Sequence, residues 1–215
     1  MATPPIRGFA SLDYRLSPHP SHPQPPTTQP NQLRAATHPS HIQDIRAALA
    51  YLHHKRHVDG YFLVGHSVGA TLAFQLLMGA QASGPLVHNP PLPTAVLGIA
   101  GIYEFRDFAN RNGAPYVTMF EGALGPDQAT WNDAAPRCFA GSYAADWPSG
   151  RHIVLSHSEE DSLVDGKVET KAMIQRLSDD GRAVTEATIH GEHDFAWQDG
   201  KEIASLIAAM CQEVQ

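Results

Sequence analysis

Short, almost wholly apolar runs recur along the chain at Tyr61–Val64, Thr94–Ala100 (TAVLGIA) and Arg151–Ser156 (RHIVLS), with a weaker alternation over Ala183–Ile189. Runs of this length predict strands covered on both faces, as in parallel sheets. Between them apolar residues return every three or four positions, the helical period. Ile42, Ile45, Leu49 and Leu52 predict a helix opened by Ser40 and Gln43 as a capping pair, with Gly60 shortly after its end. Leu72, Leu76 and Leu77 mark a helix from Val68 to about Gly79, and a further helix is expected over Asp165–Leu177. Ile203, Leu206, Ile207, Met210 and Val214 give the last helix one clean stripe. Phe9–Leu16 (FASLDYRL) reads as a first strand, and Ser17–Pro30, with six prolines, as an irregular surface loop. Residues 104–150 mix Gly, Pro and aromatics and predict cap-like short helices and loops over one end of the sheet. Strands that alternate with helices imply an α/β fold with a doubly wound, mostly parallel sheet, in a single domain spanning 1–215.

One junction carries chemistry. In YFLVGHSVGATL a strand runs into Gly65-His66-Ser67-Val68-Gly69 and a helix follows at once. A sharp strand-to-helix turn lifts a serine hydroxyl clear of the sheet and strains its backbone, and small flanking residues, here Gly65 and Gly69, let strand and helix approach. The helix start aims N–H groups and the positive dipole end at the same place, so the Val68 N–H is placed to stabilise an oxyanion. A serine is a poor nucleophile without a base. Such an elbow therefore predicts an acid and then a histidine after later strands.

HSEEDSLVD follows the strand Arg151–Ser156, and HGEHDF follows Ala183–Ile189. Asp161 is preferred as the acid over Glu159, Glu160 and Asp165, the last read as a first-turn acid of the next helix. His193 is preferred over His190 because Gly191 marks the turn that frees it. The expected order is Ser67, Asp161, His193: nucleophile, acid and base.

Composition narrows the setting. The net charge of −7 disfavours nucleic acid or an anionic membrane as partner. No apolar run reaches membrane-spanning length, and MATPPIRGFASLDY has no signal-type hydrophobic region. With only Cys138 and Cys211, a disulfide framework is not expected, and the expectation is a cytoplasmic protein. Of the thirteen histidines, His53 and His57 share a helix spacing but lack further ligands, and read as a solvated face; no metal site is expected.

The stretches SLDYRLSPHP, HPSHIQDIRAALAYL, VGHSVGATLAFQLL, GIYEF and the pair SHSEEDSLV and HGEHDFAW resemble the fungal kynurenine formamidases (arylformamidases). These belong to the hormone-sensitive-lipase-like branch of the α/β-hydrolases. The resemblance implies hydrolysis of N-formyl-L-kynurenine to L-kynurenine and formate in tryptophan catabolism, with no cofactor and an aromatic formamide as the small-molecule partner. It also implies that Ser67, Asp161 and His193 act as nucleophile, acid and base. A homodimer is compatible with it.

The family pattern includes an HGG-type loop ahead of the DYRLSP strand that completes the oxyanion hole. Here that loop is absent, and with it an inner strand between Phe9–Leu16 and Tyr61–Val64. The chain is therefore expected to be N-terminally incomplete, with unpaired strand edges or direct pairing of the flanking strands, and weak or no turnover. A carboxylesterase and a non-catalytic hydrolase-fold binding protein are the competing readings, with pocket residues expected from 102–108 and 113–135.

Overall fold

The computed structural model describes residues 6–58, 60–85 and 87–214. Four strands, β1 (Phe62–His66), β2 (Ala95–Ile99), β3 (His152–His157) and β4 (Thr185–Thr188), form one sheet in the order β1-β2-β3-β4, every pairing parallel. The register sets His66 beside Ile99, Ile99 beside Ser156, and Ser156 beside Ala187, so the carboxyl ends finish level. The long helices are α1 (Ser40–Arg56), α2 (Val68–Leu77), α4 (Phe105–Asn112), α5 (Ala114–Leu124), α7 (Thr170–Asp179) and α9 (Lys201–Glu213). Short helices α3 (Ala80–Ser83), α6 (Tyr143–Asp146) and α8 (Phe195–Asp199) join them. Among the described residues no helix is long and apolar enough to cross a membrane.

Side chains leave a strand to alternate faces, and here both faces are covered. On one, Val96, Ile153 and Leu155 pack with Phe74 of α2 and with Met173 and Leu177 of α7. On the other, Ala95, Leu97, Ile99 and Val154 meet Met210 and the partly buried Ile203, Leu206 and Ile207 of α9. Helix α2 lies between the sheet and α1, and Ala70–Leu77 are all buried; a helix apolar nearly all round is one packed nearly all round. A separate cluster, Phe105, Phe108, Phe120 and Trp131, ties α4 and α5 into a unit over the sheet's end.

Three expectations need correction. Phe9–Leu16 is not a strand. Phe9 is 82% exposed, and among the described residues no strand pairs with the segment. An ion pair docks it on α1 instead: Arg15 holds Asp44 through its guanidinium (2.8 Å) and its backbone N–H (3.0 Å). β1 is consequently an edge strand, paired with β2 alone, and Val64 is 39% exposed. The Ser40/Gln43 capping pair does not form. The Ser40 N–H already donates to the Thr37 carbonyl, and the Gln43 amide reaches across to the Ser83 carbonyl. Helix α1 closes on His57 in the left-handed conformation (φ 55°), with Gly60 shortly beyond. Finally, α7 begins at Thr170, because Asp165 spends its carboxylate on the Lys167 N–H and its carbonyl on the Val168 and Glu169 N–H groups, which makes turns rather than helix.

Candidate active site

Ser67 sits between β1 and α2 with φ 54° and ψ −123°, a strained conformation for a residue with a side chain. Its N–H donates to the Ile99 carbonyl, which fixes the turn to the neighbouring strand. The two flanking glycines differ. A Cβ on Gly65 would land on the backbone of Gly69 and Ala70, so glycine is obligatory there, whereas a Cβ on Gly69 would meet nothing. The Val68 N–H, first in α2, has no acceptor among the described residues.

Asp161 and His193 meet. His193 Nδ1 lies 2.8 Å from Asp161 Oδ2, with the carboxylate 1% and the imidazole 13% exposed. Asp161 Oδ1 also accepts the Leu163 and Val164 N–H groups, both at 2.9 Å. Burial alone would raise the Asp161 pKa. The hydrogen bonds from His193, Val164 and Leu163 outweigh it and hold the carboxyl below its ordinary value. His190 lies elsewhere: it is exposed and paired with Glu202 at 2.7 Å. Glu159 and Glu160 are exposed loop residues.

The His193 ring reaches the elbow through His66. The two rings are in tilted contact with centroids 4.5 Å apart, and His66 Nε2–H donates to the His193 carbonyl at 2.8 Å. Among the described residues no hydrogen bond joins Ser67 Oγ to His193 in this structure. A second tie holds the acid and base loops together, as Ser162 donates to Glu192 Oε2 from its N–H (3.1 Å) and its hydroxyl (2.7 Å). Sequence reading passed over His66, Ser162 and Glu192. His66 looks like the free position of the motif, and only its adjacency to Ser67 could have flagged it. A ring nitrogen of His66, one of His193 and an Asp194 oxygen lie within 4.8 Å of one another, the group among the described residues that could hold a metal ion.

Beside the elbow lies a cavity of about 220 Å³. One wall is a single face of α2, formed by Val68, Thr71, Leu72 and Gln75, and the opposite wall includes Phe105, Met119 and Phe120. The segments 102–108 and 113–135 do contribute, but Tyr14, Leu16, Ser17, Arg34, His38 and His41 from the N-terminal segment line it as well. All but His41, which is on α1, lie in irregular chain, which shows no period that says which side chains face inward.

A parallel sheet wrapped by helices, with a strained serine at a strand-to-helix turn and an acid–histidine pair on later loops, is the architecture of an α/β-hydrolase. Solved structures agree on the fold. The chain superposes on the esterase EstE5 with a TM-score of 0.63 at 18% identity, over 94% of this chain and 64% of that one. On esterase B from Lactobacillus rhamnosis the TM-score is 0.60 at 19% identity, over 83% and 62%. No protein-family model matches the chain. Relatives by sequence narrow the class. A kynurenine formamidase-like hydrolase of Fusarium equiseti is 33% identical over 210 residues, 94% of this chain and 69% of that protein. A kynurenine formamidase of Aspergillus versicolor is 33% identical over 214 residues, 90% of this chain and 71% of that protein. The chain belongs to the kynurenine formamidase family of hydrolases.

Proposed function

We propose that the chain is a serine hydrolase that cleaves N-formyl-L-kynurenine to L-kynurenine and formate, a step of tryptophan catabolism. The observation that carries the reading is the Asp161–His193 pair (2.8 Å), tied by a hydrogen bond to His66, the residue beside the strained Ser67. The names borne by the Fusarium and Aspergillus relatives supply the substrate.

The proposed steps are these. Ser67 Oγ attacks the formyl carbon while its proton passes to His193 Nε2, the nitrogen left free by the Asp161 bond. Asp161 holds the tautomer and stabilises the imidazolium. The Val68 N–H donates to the oxyanion. The C–N bond then breaks, the aromatic amine leaves with the proton from His193, and a formyl ester remains on Ser67. Water, deprotonated by His193, adds to that ester, and formate departs as the proton returns to Ser67 Oγ. Ser67 must swing into hydrogen-bond range of His193 for the first step, and such contacts often tighten only with substrate bound. Cys138 and Cys211 are both free thiols, which suits a reducing, cytoplasmic setting.

The test is release of L-kynurenine from N-formyl-L-kynurenine by the purified chain, beside hydrolysis of p-nitrophenyl butyrate and fluorophosphonate labelling. Formamide turnover and labelling, both lost in Ser67→Ala, support the proposal. Ester turnover without formamide turnover makes the chain a carboxylesterase, and an unlabelled Ser67 removes the mechanism.

A further inference from the structure

One residue that lines the cavity beside the elbow carries an unmet acceptor. Gln75 is 3% exposed and lines it. Its Nε2 is committed to the Ala134 carbonyl at 2.8 Å, which fixes the orientation of the amide. Its Oε1 is buried without a hydrogen-bond partner among the described residues. A buried acceptor left unpaired costs free energy, so it is a place for a donor to bind.

The charge around the cavity is one-sided. Arg34 is its only permanently charged lining residue, and no carboxylate lines it. The Arg34 guanidinium has no ion pair or hydrogen bond among the described residues. Burial lowers the pKa of His38, to about 4, and of His41, so both are neutral near pH 7. A ligand that fits offers an apolar body to Leu72, Phe105 and Phe120, a donor to Gln75 and an anionic group to Arg34.

We infer that this cavity is a subsite for the free α-amino-acid end of the substrate, with Gln75 Oε1 accepting from the α-ammonium group and Arg34 binding the α-carboxylate. The spacing agrees. Seven residues of helix separate Val68 from Gln75, a rise of about 10 Å. In N-formyl-L-kynurenine the formyl carbon and the α-nitrogen are separated by seven bonds, roughly 8 Å when extended. The inference rests on the formamidase reading for its substrate and selects, within aromatic formamides, those that carry a zwitterionic tail.

Two experiments separate the subsite from that reading. In the first, the purified chain, Arg34→Gln and Gln75→Leu hydrolyse N-formyl-L-kynurenine and 2-formamidoacetophenone, which keeps the ring and the formamide but lacks the amino acid. The expected result is a KM for N-formyl-L-kynurenine raised at least tenfold in each variant, with a loss in kcat/KM at least tenfold greater than for 2-formamidoacetophenone. Equal losses on the two substrates, or none, overturn the subsite; Arg34 lies near the surface, so its variant is not expected to fail for want of folding. In the second, calorimetry on Ser67→Ala compares L-kynurenine with 2-aminoacetophenone. At least tenfold tighter binding of L-kynurenine, abolished by adding Arg34→Gln, supports the subsite without any turnover. If that preference holds while N-formyl-L-kynurenine is not cleaved, the catalytic reading falls and the subsite stands. Cleavage with no preference for the amino acid in either experiment gives the reverse.

Discussion

Gly65 and Gly69 flank Ser67 symmetrically in sequence, and the structure predicts opposite outcomes when each becomes alanine. At Gly65 the new Cβ would collide with the Gly69 carbonyl and the Ala70 nitrogen, both main-chain atoms of the first turn of α2. Helix α2 cannot slide away, because Ala70–Leu77 are buried between the sheet and α1. Overpacking costs about 1–3 kcal/mol where side chains can yield. Here backbone must yield, and about 3 kcal/mol or more is expected. At 215 residues each kcal/mol moves Tm by about 2–4 °C, so Gly65→Ala lowers it by about 6–12 °C. At Gly69 a Cβ meets nothing within 4 Å. Alanine in a helix gains about 0.5–1 kcal/mol over glycine, so Gly69→Ala raises Tm by about 1–4 °C. Thermal unfolding followed by circular dichroism on the three purified chains reads both shifts, and urea titration at fixed temperature checks them. A Gly65→Ala chain that melts with the wild type would show that strand and helix are not in contact through this pair, and the account of the elbow would be wrong.

Asp161→Asn keeps an oxygen for the Leu163 and Val164 N–H groups but turns an NH₂ toward His193 Nδ1. Turnover should fall on the order of 10³–10⁴-fold with the melting curve little changed, and retention of a tenth of wild-type turnover would remove Asp161 from its role. His38, with a folded pKa of about 4 against 6.5 unfolded, binds fewer protons folded than unfolded between those values. Stability from this site is therefore full above about pH 6.5, falls as pH drops toward 4, and amounts to about 3 kcal/mol at most. A urea midpoint flat from pH 6.5 to 4, or a slope that His38→Gln leaves intact, would contradict this. Glu169, fully buried, accepts from Arg111 (2.6 Å) and from the Tyr103 and Glu104 N–H groups. Glu169→Gln should cost about 2–3 kcal/mol, less than a fully buried pair because Arg111 can rehydrate, and an unchanged urea midpoint would mean that burying the carboxylate already cancels its bonds.

What the sequence disclosed follows from which interactions are local. The strands at 95–99 and 152–157 were legible because burial on both faces favours a nearly unbroken apolar run, and the half-exposed edge strand at 62–66 was legible from its short apolar run Phe62–Val64 ahead of the elbow. Ser67 was legible because the turn that strains it needs Gly65 beside it in sequence. The misread strand at Phe9–Leu16 has the composition of one, but strand formation depends on a neighbour's backbone, and here the segment is anchored by side chains instead, Arg15 to Asp44 and Tyr14 against His41 of α1. The capping pair failed for a similar reason, since Gln43 found a better carbonyl at Ser83, distant in sequence. The cavity was the least legible feature. Its lining draws on Arg34 and Gln75, which share no motif and are far apart in sequence.

The site itself is a consequence of register. Parallel pairing carries His66, Ile99, Ser156 and Ala187 across the sheet at one level. The ladder continues one step past the strand ends, as the Ser67 N–H reaches Ile99, the Ala100 N–H reaches Ser156 and the Ile189 N–H reaches His157. The loops that bear Ser67, Asp161 and His193 therefore depart from a common edge. Their remaining freedom is removed by cross-loop bonds, His66 to the His193 carbonyl and Ser162 to Glu192. Those bonds fix the acid and base loops to each other or to the His66 side chain, and none of them involves the Ser67 hydroxyl. Among the described residues the Ser67 side chain thus has no hydrogen bond to hold it, while His193 is held by its ring, its backbone and its carboxylate partner. That division suits a site in which the base must keep one tautomer through two half-reactions while the nucleophile rotates between attack and release.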